Sequence, residues 1–158
     1  MIRPATERDV EAMVGLVRDL AEYERAADRV RLDADQLRVA LFGERPAVFA
    51  HVAEEHGGVV GMAIWFLNFS TWTGRHGIWL EDLFVRPEAR GAGHGRGLLL
   101  TLARLAVASG YGRVEWSVLD WNEPAIGFYR SLGAEAQDEW TTFRLADDAL
   151  VGLAGDQA

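Results

Sequence analysis

The stretch Arg90-Gly91-Ala92-Gly93-His94-Gly95 lies between a predicted strand and a predicted helix. Glycines let a backbone approach a ligand closely, and a helix N-terminus offers N–H groups that no carbonyl of the helix accepts. The segment therefore predicts a main-chain cradle for a diphosphate. The spacing does not match the dinucleotide fingerprint G-x-G-x-x-G. The alternative interpretation is that these glycines only make a flexible loop.

The hydrophobic periodicity and the turn residues around this loop predict a mixed α/β sheet with helices on both faces. Downstream of the loop, a core-facing helix ends at Gly110. Upstream, a capping box at 6–9 opens a helix that runs to about Arg25. The other elements are a short strand at Ile2, a helix from Asp33 to about Phe42, strands at 47–54, 59–69, 77–85, 114–119 and 141–145, and a helix capped by Asn122 that runs through Leu132. We expect the tail, 147–158, to be a short frayed helix or partly disordered.

Length and composition narrow the function classes. A chain of 158 residues predicts one domain, spanning 1–158. It has no cysteine and no lysine, which excludes disulfides, thiolate metal sites, a cysteine nucleophile, a Schiff-base lysine and a Walker-type phosphate loop. The net charge of −8 disfavours nonspecific nucleic-acid binding. Neither a membrane-spanning run nor a secretory leader is evident, so we expect no membrane partner and a cytoplasmic location.

Several motifs resemble one known family. Arg90-x-x-Gly93-x-Gly95 resembles the Arg/Gln-x-x-Gly-x-Gly/Ala signature of the GNAT N-acetyltransferases, and Leu80-Glu81-Asp82-Leu83-Phe84-Val85 resembles their central strand. The fold that this resemblance implies is a mixed, mostly antiparallel sheet of about seven strands, splayed at its centre. Further segments resemble the diamine and thialysine branch: Pro4-Ala5-Thr6, Leu20-Ala21-Glu22-Tyr23-Glu24, Ser70-Thr71-Trp72-Thr73-Gly74, Leu119-Asp120-Trp121-Asn122-Glu123-Pro124 and Phe128-Tyr129-x-x-x-Gly133-Ala134.

The resemblance implies acetyl-coenzyme A (acetyl-CoA) as cosubstrate. Its pantetheine arm would pair with main-chain groups of Leu83, Phe84 and Val85. The diphosphate would lie on the glycine loop, formed by Arg90, Gly91, Ala92, Gly93, His94, Gly95 and Arg96. The other side of the pantetheine would contact Asn122, Glu123, Pro124 and Ala125. Asn122 is also explained as an ordinary helix cap, and it can serve both purposes.

A primary amine is an ammonium at neutral pH and must lose a proton before it can attack the thioester. The resemblance assigns acceptance of that proton to Glu81, directly or through one water. Strand alternation would turn the neighbouring Asp82 to the opposite face unless a bulge intervenes. The alternative is that these two carboxylates only mark the end of a strand.

Tyr129 matches the family's position for the acid that assists the departing thiolate. It also shares a helix face with Ile126 and Leu132, as a core tyrosine would. The residues that match the branch's acceptor site or would complete its wall are Tyr23, Glu24, Trp72, Asp82, Glu115, Trp116 and Trp140. The four histidines have no spacing suited to a metal, so we expect none.

We therefore expect an acetyl-CoA-dependent N-acetyltransferase that acetylates a primary amine of a small molecule by direct attack in a ternary complex. Ser70, where polyamine acetylases tend to carry an acidic residue, favours thialysine or a related short amine over spermidine. The alternatives are a protein or peptide N-acetyltransferase and a non-catalytic acetyl-CoA-binding sensor. The resemblance also implies a homodimer, with acceptor sites near the subunit boundary.

Overall fold

Five strands form one sheet in the computed structural model, which describes residues 1–155. In chain order, which is also their order in the sheet, they are β1 (Ile2–Pro4), β2 (Phe49–Glu55), β3 (Gly58–Ser70), β4 (Arg75–Val85) and β5 (Val114–Glu115). Successive strands pair antiparallel except β4 and β5, which run parallel. The predicted mixed, mostly antiparallel α/β sheet is confirmed, with five strands where about seven were expected.

Five α-helices lie in the described residues: α1 (Val10–Tyr23), α2 (Ala34–Phe42), α3 (His94–Ala108), α4 (Glu123–Ser131) and α5 (Asp147–Gly155). The predicted capping box before α2 is formed, because Asp33 Oδ1 accepts the Gln36 N–H at 2.8 Å and Gln36 Oε1 accepts the Asp33 N–H at 3.0 Å. Before α1, the Asp9 carboxylate accepts the Thr6 N–H at 2.8 Å. These bonds help to set where each helix begins.

The chain divides into two units, Met1–Leu119 and a second that begins at Asp120. The first contains the sheet with α1, α2 and α3, and the second contains α4 and α5. The single domain expected over 1–158 stays a prediction.

Helices cover both faces of the sheet in the first unit. On one face, side chains of β2, β3 and β4 form a buried cluster with α1 and α2, including Val52, Met62, Ile64 and Phe84. Side chains that alternate with these point to the other face. There α3 contacts the strands and buries Leu98, Leu99, Leu102 and Ala106. The expected placement of helices on both faces is therefore confirmed for this unit.

Two predicted strands differ from the structure. The strand expected at 114–119 is limited to Val114–Glu115, because β4 pairs with it at only two positions. The strand expected at 141–145 is wrong, since these residues are irregular and the Phe143 side chain is 92% exposed. Threonine and phenylalanine favour strands, but a strand forms only where a neighbour takes its hydrogen bonds. In the tail, 147–155 is helical, and the rest of the predicted segment lies outside the described residues.

Candidate functional site

A β-bulge interrupts β4 at Glu81. Ile64 of β3 is opposite Asp82, whereas the next residue, Trp65, is opposite Leu80, so Glu81 is the extra residue. Ile64 and Trp65 point to opposite faces of the sheet, and therefore Leu80 and Asp82 do as well. This shift turns Asp82 towards the face that α1 and α2 cover. The simple alternation expected from the sequence is thus replaced by the bulge, a feature that commonly re-aims side chains beside active sites.

Three carboxylates meet on this face. The pKa of Asp82 is raised to about 6, mainly by burial and in addition by the negative charges of Glu81 and Glu24. Burial also raises the pKa of Glu24, which directly follows α1. The Trp79 indole Nε1 donates a hydrogen bond of 3.1 Å to Glu81 Oε2. This carboxylate cluster of Glu24, Glu81 and Asp82 favours a cationic ligand.

Beyond the bulge, β4 is no longer paired with β5, which ends at Glu115. Among the described residues the two strands pair only at Ile78↔Val114 and Trp79↔Glu115. β4 nevertheless continues to Val85 and keeps its pairing with β3 on the other side. Here the β5 side of β4 is therefore an unpaired edge among the described residues, and the expected splay of the sheet stays a prediction. The part of β4 beyond the pairing holds Leu83, Phe84 and Val85, and a strand edge of this kind offers main-chain groups to an extended ligand.

The glycine loop has the backbone of an anion cradle. Gly91 and Gly93 have φ values of +84° and +83°, in the left-handed region that favours glycine. The Gly97 N–H donates to the Gly93 carbonyl at 2.8 Å, and this is the first backbone hydrogen bond of α3. The N–H groups that precede it in the first turn have no acceptor within the helix. A Cβ atom at Gly91 or Gly93 would meet no atom within 4 Å, so the space beside them is open. The loop fits a diphosphate.

Arg90 links this loop to two other parts of the first unit. Its Nε donates to the Val85 carbonyl at 3.0 Å, at the end of β4. Its guanidinium carbon lies 5.3 Å from the centre of the Tyr23 ring and 5.6 Å from that of Phe84. Both are cation–π distances. The Arg90 side chain thus contacts both Tyr23, which is predicted to line the acceptor site, and Phe84 and Val85, which are predicted to bind the coenzyme.

The remaining acceptor residues of the first unit lie in different places. The Trp72 side chain is 87% exposed in the turn between β3 and β4. A strand rises about 3.3 Å per residue, which places Glu81 about 20 Å along β4 from Arg75, where the strand begins. Trp72 is therefore not brought to Glu81 within one chain. Glu115 forms an ion pair with Arg113, and Trp116 is half-buried directly after β5.

The second unit contains the other predicted site residues. Asn122 is buried, and its Oδ1 accepts the Ala125 N–H at 3.4 Å, so its role as a helix cap is observed. Glu123 and Pro124 form the first turn of α4. Tyr129 is half-buried on α4, with its ring 5.4 Å from that of Phe128, and the Trp140 side chain is 66% exposed.

Two side chains near the site, Trp79 and Glu55, were not predicted from the sequence. The hydrogen bond from Trp79 to Glu81 joins residues two apart on a strand, and this spacing could have indicated it. Glu55 lies 3.0 Å from the His94 ring within the glycine loop, although the two are 39 positions apart in the chain. No local pattern marks such a pair.

Within 1–155, no group of three or more histidine, cysteine, aspartate or glutamate side chains could hold a metal ion. No helix in that range is both long and apolar enough to cross a membrane.

Comparison with known proteins agrees with this geometry. Residues 13–134 match the model of the acetyltransferase (GNAT) family. The thialysine N-epsilon-acetyltransferase of Bos taurus is 40% identical over 166 residues, covering 98% of this chain and 97% of the relative. An L-ornithine N5-acetyltransferase of Arabidopsis thaliana is 44% identical over 95 residues, covering 60% of this chain and 42% of the relative. A solved integron cassette protein from the mobile metagenome of V. cholerae has a TM-score of 0.82 at 28% identity, covering 99% of this chain and 98% of that one.

Proposed function

Because the chain belongs to the GNAT family of acetyltransferases, we propose that it acetylates a side-chain amine of a small lysine-like molecule, with acetyl-CoA as the acyl donor. The observation that carries this proposal is the sequence of features along one strand. The bulge of β4 gathers the carboxylate cluster, the strand then continues without a partner on its β5 side, and the glycine loop follows. The carboxylate cluster and the glycine loop thus lie at the two ends of one short segment, which supports a cation-binding site at one end and an anion cradle at the other.

The coenzyme supplies an acyl group activated as a thioester. We assign its pantetheine arm to the main chain of Leu83, Phe84 and Val85 and its diphosphate to the amides from Gly91 to Arg96. The unpaired edge of β4 beyond β5 and the positive φ of Gly91 and Gly93 support these roles. Asn122 and the first turn of α4 remain proposed contacts of the pantetheine.

The chain's own groups handle the proton of the amine. We assign the binding of the ammonium to Glu24 and Asp82 and the acceptance of its proton to Glu81. The raised pKa values of Asp82 and Glu24 support the first role, since they reflect negative charge held away from water. The hydrogen bond from Trp79 supports the second, because it orients the Glu81 carboxylate.

The proposed role of Tyr129 is donation of a hydrogen bond or proton from its phenol to the sulfur of the departing thiolate. Tyr129→Phe is expected to lower kcat about 10²-fold, because it removes that donor while keeping the ring. The dissociation constant of coenzyme A, measured by calorimetry, should change little. An unchanged kcat would remove Tyr129 from the mechanism.

Free-thiol release from acetyl-CoA tests the whole proposal. The chain has no cysteine, so any thiol detected comes from the coenzyme. Thialysine, lysine and ornithine are to be compared with spermidine, an aminoglycoside and a lysine-containing peptide. We expect the largest kcat/KM for thialysine or another short amine, in agreement with Ser70 and with the names of the Bos taurus and Arabidopsis relatives.

Each other outcome of this panel selects a different function. A far larger kcat/KM for spermidine would show a polyamine acetylase, and turnover of the peptide alone would show a protein acetyltransferase. Coenzyme binding without thiol release on any amine would identify a non-catalytic sensor and overturn the enzymatic proposal.

A homodimer is part of the proposal. Trp72 and Phe69 are 87% and 56% exposed near the β3–β4 turn, and within one chain this turn does not reach the carboxylate cluster. In a dimer, Trp72 of one copy could line the acceptor site of the other. Sedimentation should then give twice the 17.5 kDa chain mass, and a monomer would contradict this part. A single domain over 1–158, a cytoplasmic location and the absence of a metal, nucleic-acid or membrane partner also belong to the proposal.

A further inference from the structure

A hydrogen-bonded pair joins the glycine loop to the end of β2. The Nε2 atom of His94 lies 3.0 Å from Oε2 of Glu55, and the side chains are 12% and 36% exposed. The bond to His94 lowers the pKa of Glu55, so this carboxylate is ionised near neutral pH. An ionised carboxylate only accepts hydrogen bonds, and therefore His94 Nε2 is the donor.

His94 is well placed to hold the loop. Between Arg90 and Arg96 it is the only residue whose side chain is larger than a methyl group, and it is flanked by Gly93 and Gly95. Glycines have high conformational freedom when a loop is not held, and ordering them costs free energy. The side chain of His94 is thus the only long one that can anchor this segment of the loop.

Glu55 provides a fixed point for that anchor. It is the last residue of β2 and is paired with Gly58 of β3 across the turn between the two strands. Glu55 is on β2 and Glu81 is on β4, and β3 lies between these two strands in the sheet. A residue in this position can influence the loop without taking part in proton transfer.

We infer that Glu55 is a positioning residue for coenzyme binding, which holds the glycine loop in its diphosphate-binding conformation through the hydrogen bond to the His94 ring. The inference rests on the proposed function. Pre-ordering a loop increases affinity because less conformational freedom is lost on binding. The effect of Glu55 therefore falls on the affinity for the coenzyme, and the turnover of the saturated enzyme is unaffected.

Calorimetry with coenzyme A and a double-mutant cycle test this role. Glu55→Ala and His94→Ala are each expected to raise the dissociation constant about three- to tenfold, and the double variant should be no weaker than either single one. Glu55→Gln, which keeps an acceptor oxygen, should recover most of the affinity. At saturating acetyl-CoA, the kcat of Glu55→Ala should equal that of the wild type, while its KM for acetyl-CoA rises.

His56→Ala is the matched control. The His56 Nε2 atom lies 3.7 Å from the other oxygen of Glu55, its side chain is 93% exposed, and it is not in the loop. The dissociation constant of coenzyme A from His56→Ala should equal that from the wild type. Melting temperatures of all variants are to be measured alongside. If Glu55→Ala does not fold, His94→Ala keeps the test decisive, because an unchanged dissociation constant in that variant would overturn the inference.

The outcomes separate the two proposals. Equal affinities of wild type, Glu55→Ala and Glu55→Gln would overturn the inference alone, as would a loss from Glu55→Ala that persists at full size in the His94→Ala background. A wild-type protein that binds no coenzyme A would overturn the proposed function, and this inference with it.

Discussion

Asp9 and Asp82 belong to the same unit, yet their pKa values are shifted in opposite directions. Asp9 is 4% exposed, and its two oxygens accept hydrogen bonds of 2.7 and 2.9 Å from the Arg3 guanidinium, which lowers its pKa. Asp82 is half-buried, and the two charges that act on it, Glu81 and Glu24, are both negative. Burial and these charges raise its pKa to about 6.

The difference lies in where the counter-charge comes from. Arg3 connects β1 to the start of α1 through Asp9 and to β2 through Glu54, at 2.8 Å, so this arginine–carboxylate network of Arg3, Asp9 and Glu54 has its cation within the fold. The ionised Asp82 instead lowers the stability of the folded protein, a penalty that the ammonium of a substrate would relieve. Carboxylates paired with an arginine, such as Asp9, stabilise the fold, whereas a cluster of carboxylates without a cation, such as that around Asp82, suggests a binding site.

The largest expected effect concerns the functional side of this comparison. Glu81→Gln should lower kcat/KM about 10³-fold at pH 7.5, because an amide cannot accept the proton of the amine. Thiol release with the best amine of the panel measures it. Glu44→Gln, at an exposed site after α2, is the control and should match the wild type. A Glu81→Gln enzyme with more than a tenth of wild-type kcat/KM would show that Glu81 does not accept the proton.

The next effect concerns the structural side. Asp9→Asn should lower the free energy of unfolding by roughly 3 kcal/mol, because Arg3, itself 18% exposed, keeps its charge and loses its bidentate partner. Urea denaturation measures the change. Asp35→Asn removes an aspartate whose side chain is 92% exposed and lies 2.6 Å from Arg38. It should leave stability nearly unchanged, and equal losses in the two variants would contradict the importance of burial at Asp9.

A smaller effect of opposite sign is expected at Asp82. The ordinary pKa of 3.8 is raised to about 6 in the folded protein, so between these pH values the folded state binds more protons than the unfolded state. The contribution of Asp82 to stability therefore falls as the pH rises from about 4 to about 6, and its penalty is complete above that window. Asp82→Asn removes the penalty and should raise the free energy of unfolding by about 2 kcal/mol at pH 7.5.

Denaturation at several pH values checks this sign. The stability difference between Asp82→Asn and the wild type should be near zero at pH 4 and should grow to its full value by about pH 7. A variant less stable than the wild type at pH 7.5 would mean that Asp82 is a stabilising partner like Asp9, and the contrast between the two aspartates would fail.

Much of the fold was predictable because its signals are local. The strands expected at 59–69 and 77–85 were observed at Gly58–Ser70 and Arg75–Val85, and the capping box at Asp33 formed as expected. Side-chain periodicity, turn glycines and caps each act within a few residues of the chain. The strand expected at 141–145 failed because its hydrogen bonds would need a neighbour that local residues cannot provide.

The candidate site was only partly predictable for the same reason. The sequence showed the order of Glu81, the strand residues 83–85 proposed to bind the coenzyme, and the glycine loop along the chain. It did not show that the bulge re-aims Asp82, that Arg90 folds back over Tyr23 and Phe84, or that His94 is held by Glu55. The assigned catalytic and binding roles stay proposals that the experiments above address.

By itself, the sequence determined where the backbone can take left-handed turns and where an apolar face repeats, and hence the order of strand, loop and helix around Gly93. Conformational preferences of single residues and their near neighbours are sufficient for that. Only the tertiary structure decided that Asp82 faces Glu24 and that Asp9 faces Arg3. Charge interactions and desolvation depend on distance and packing in space, and these exist only once the strands and helices have assembled.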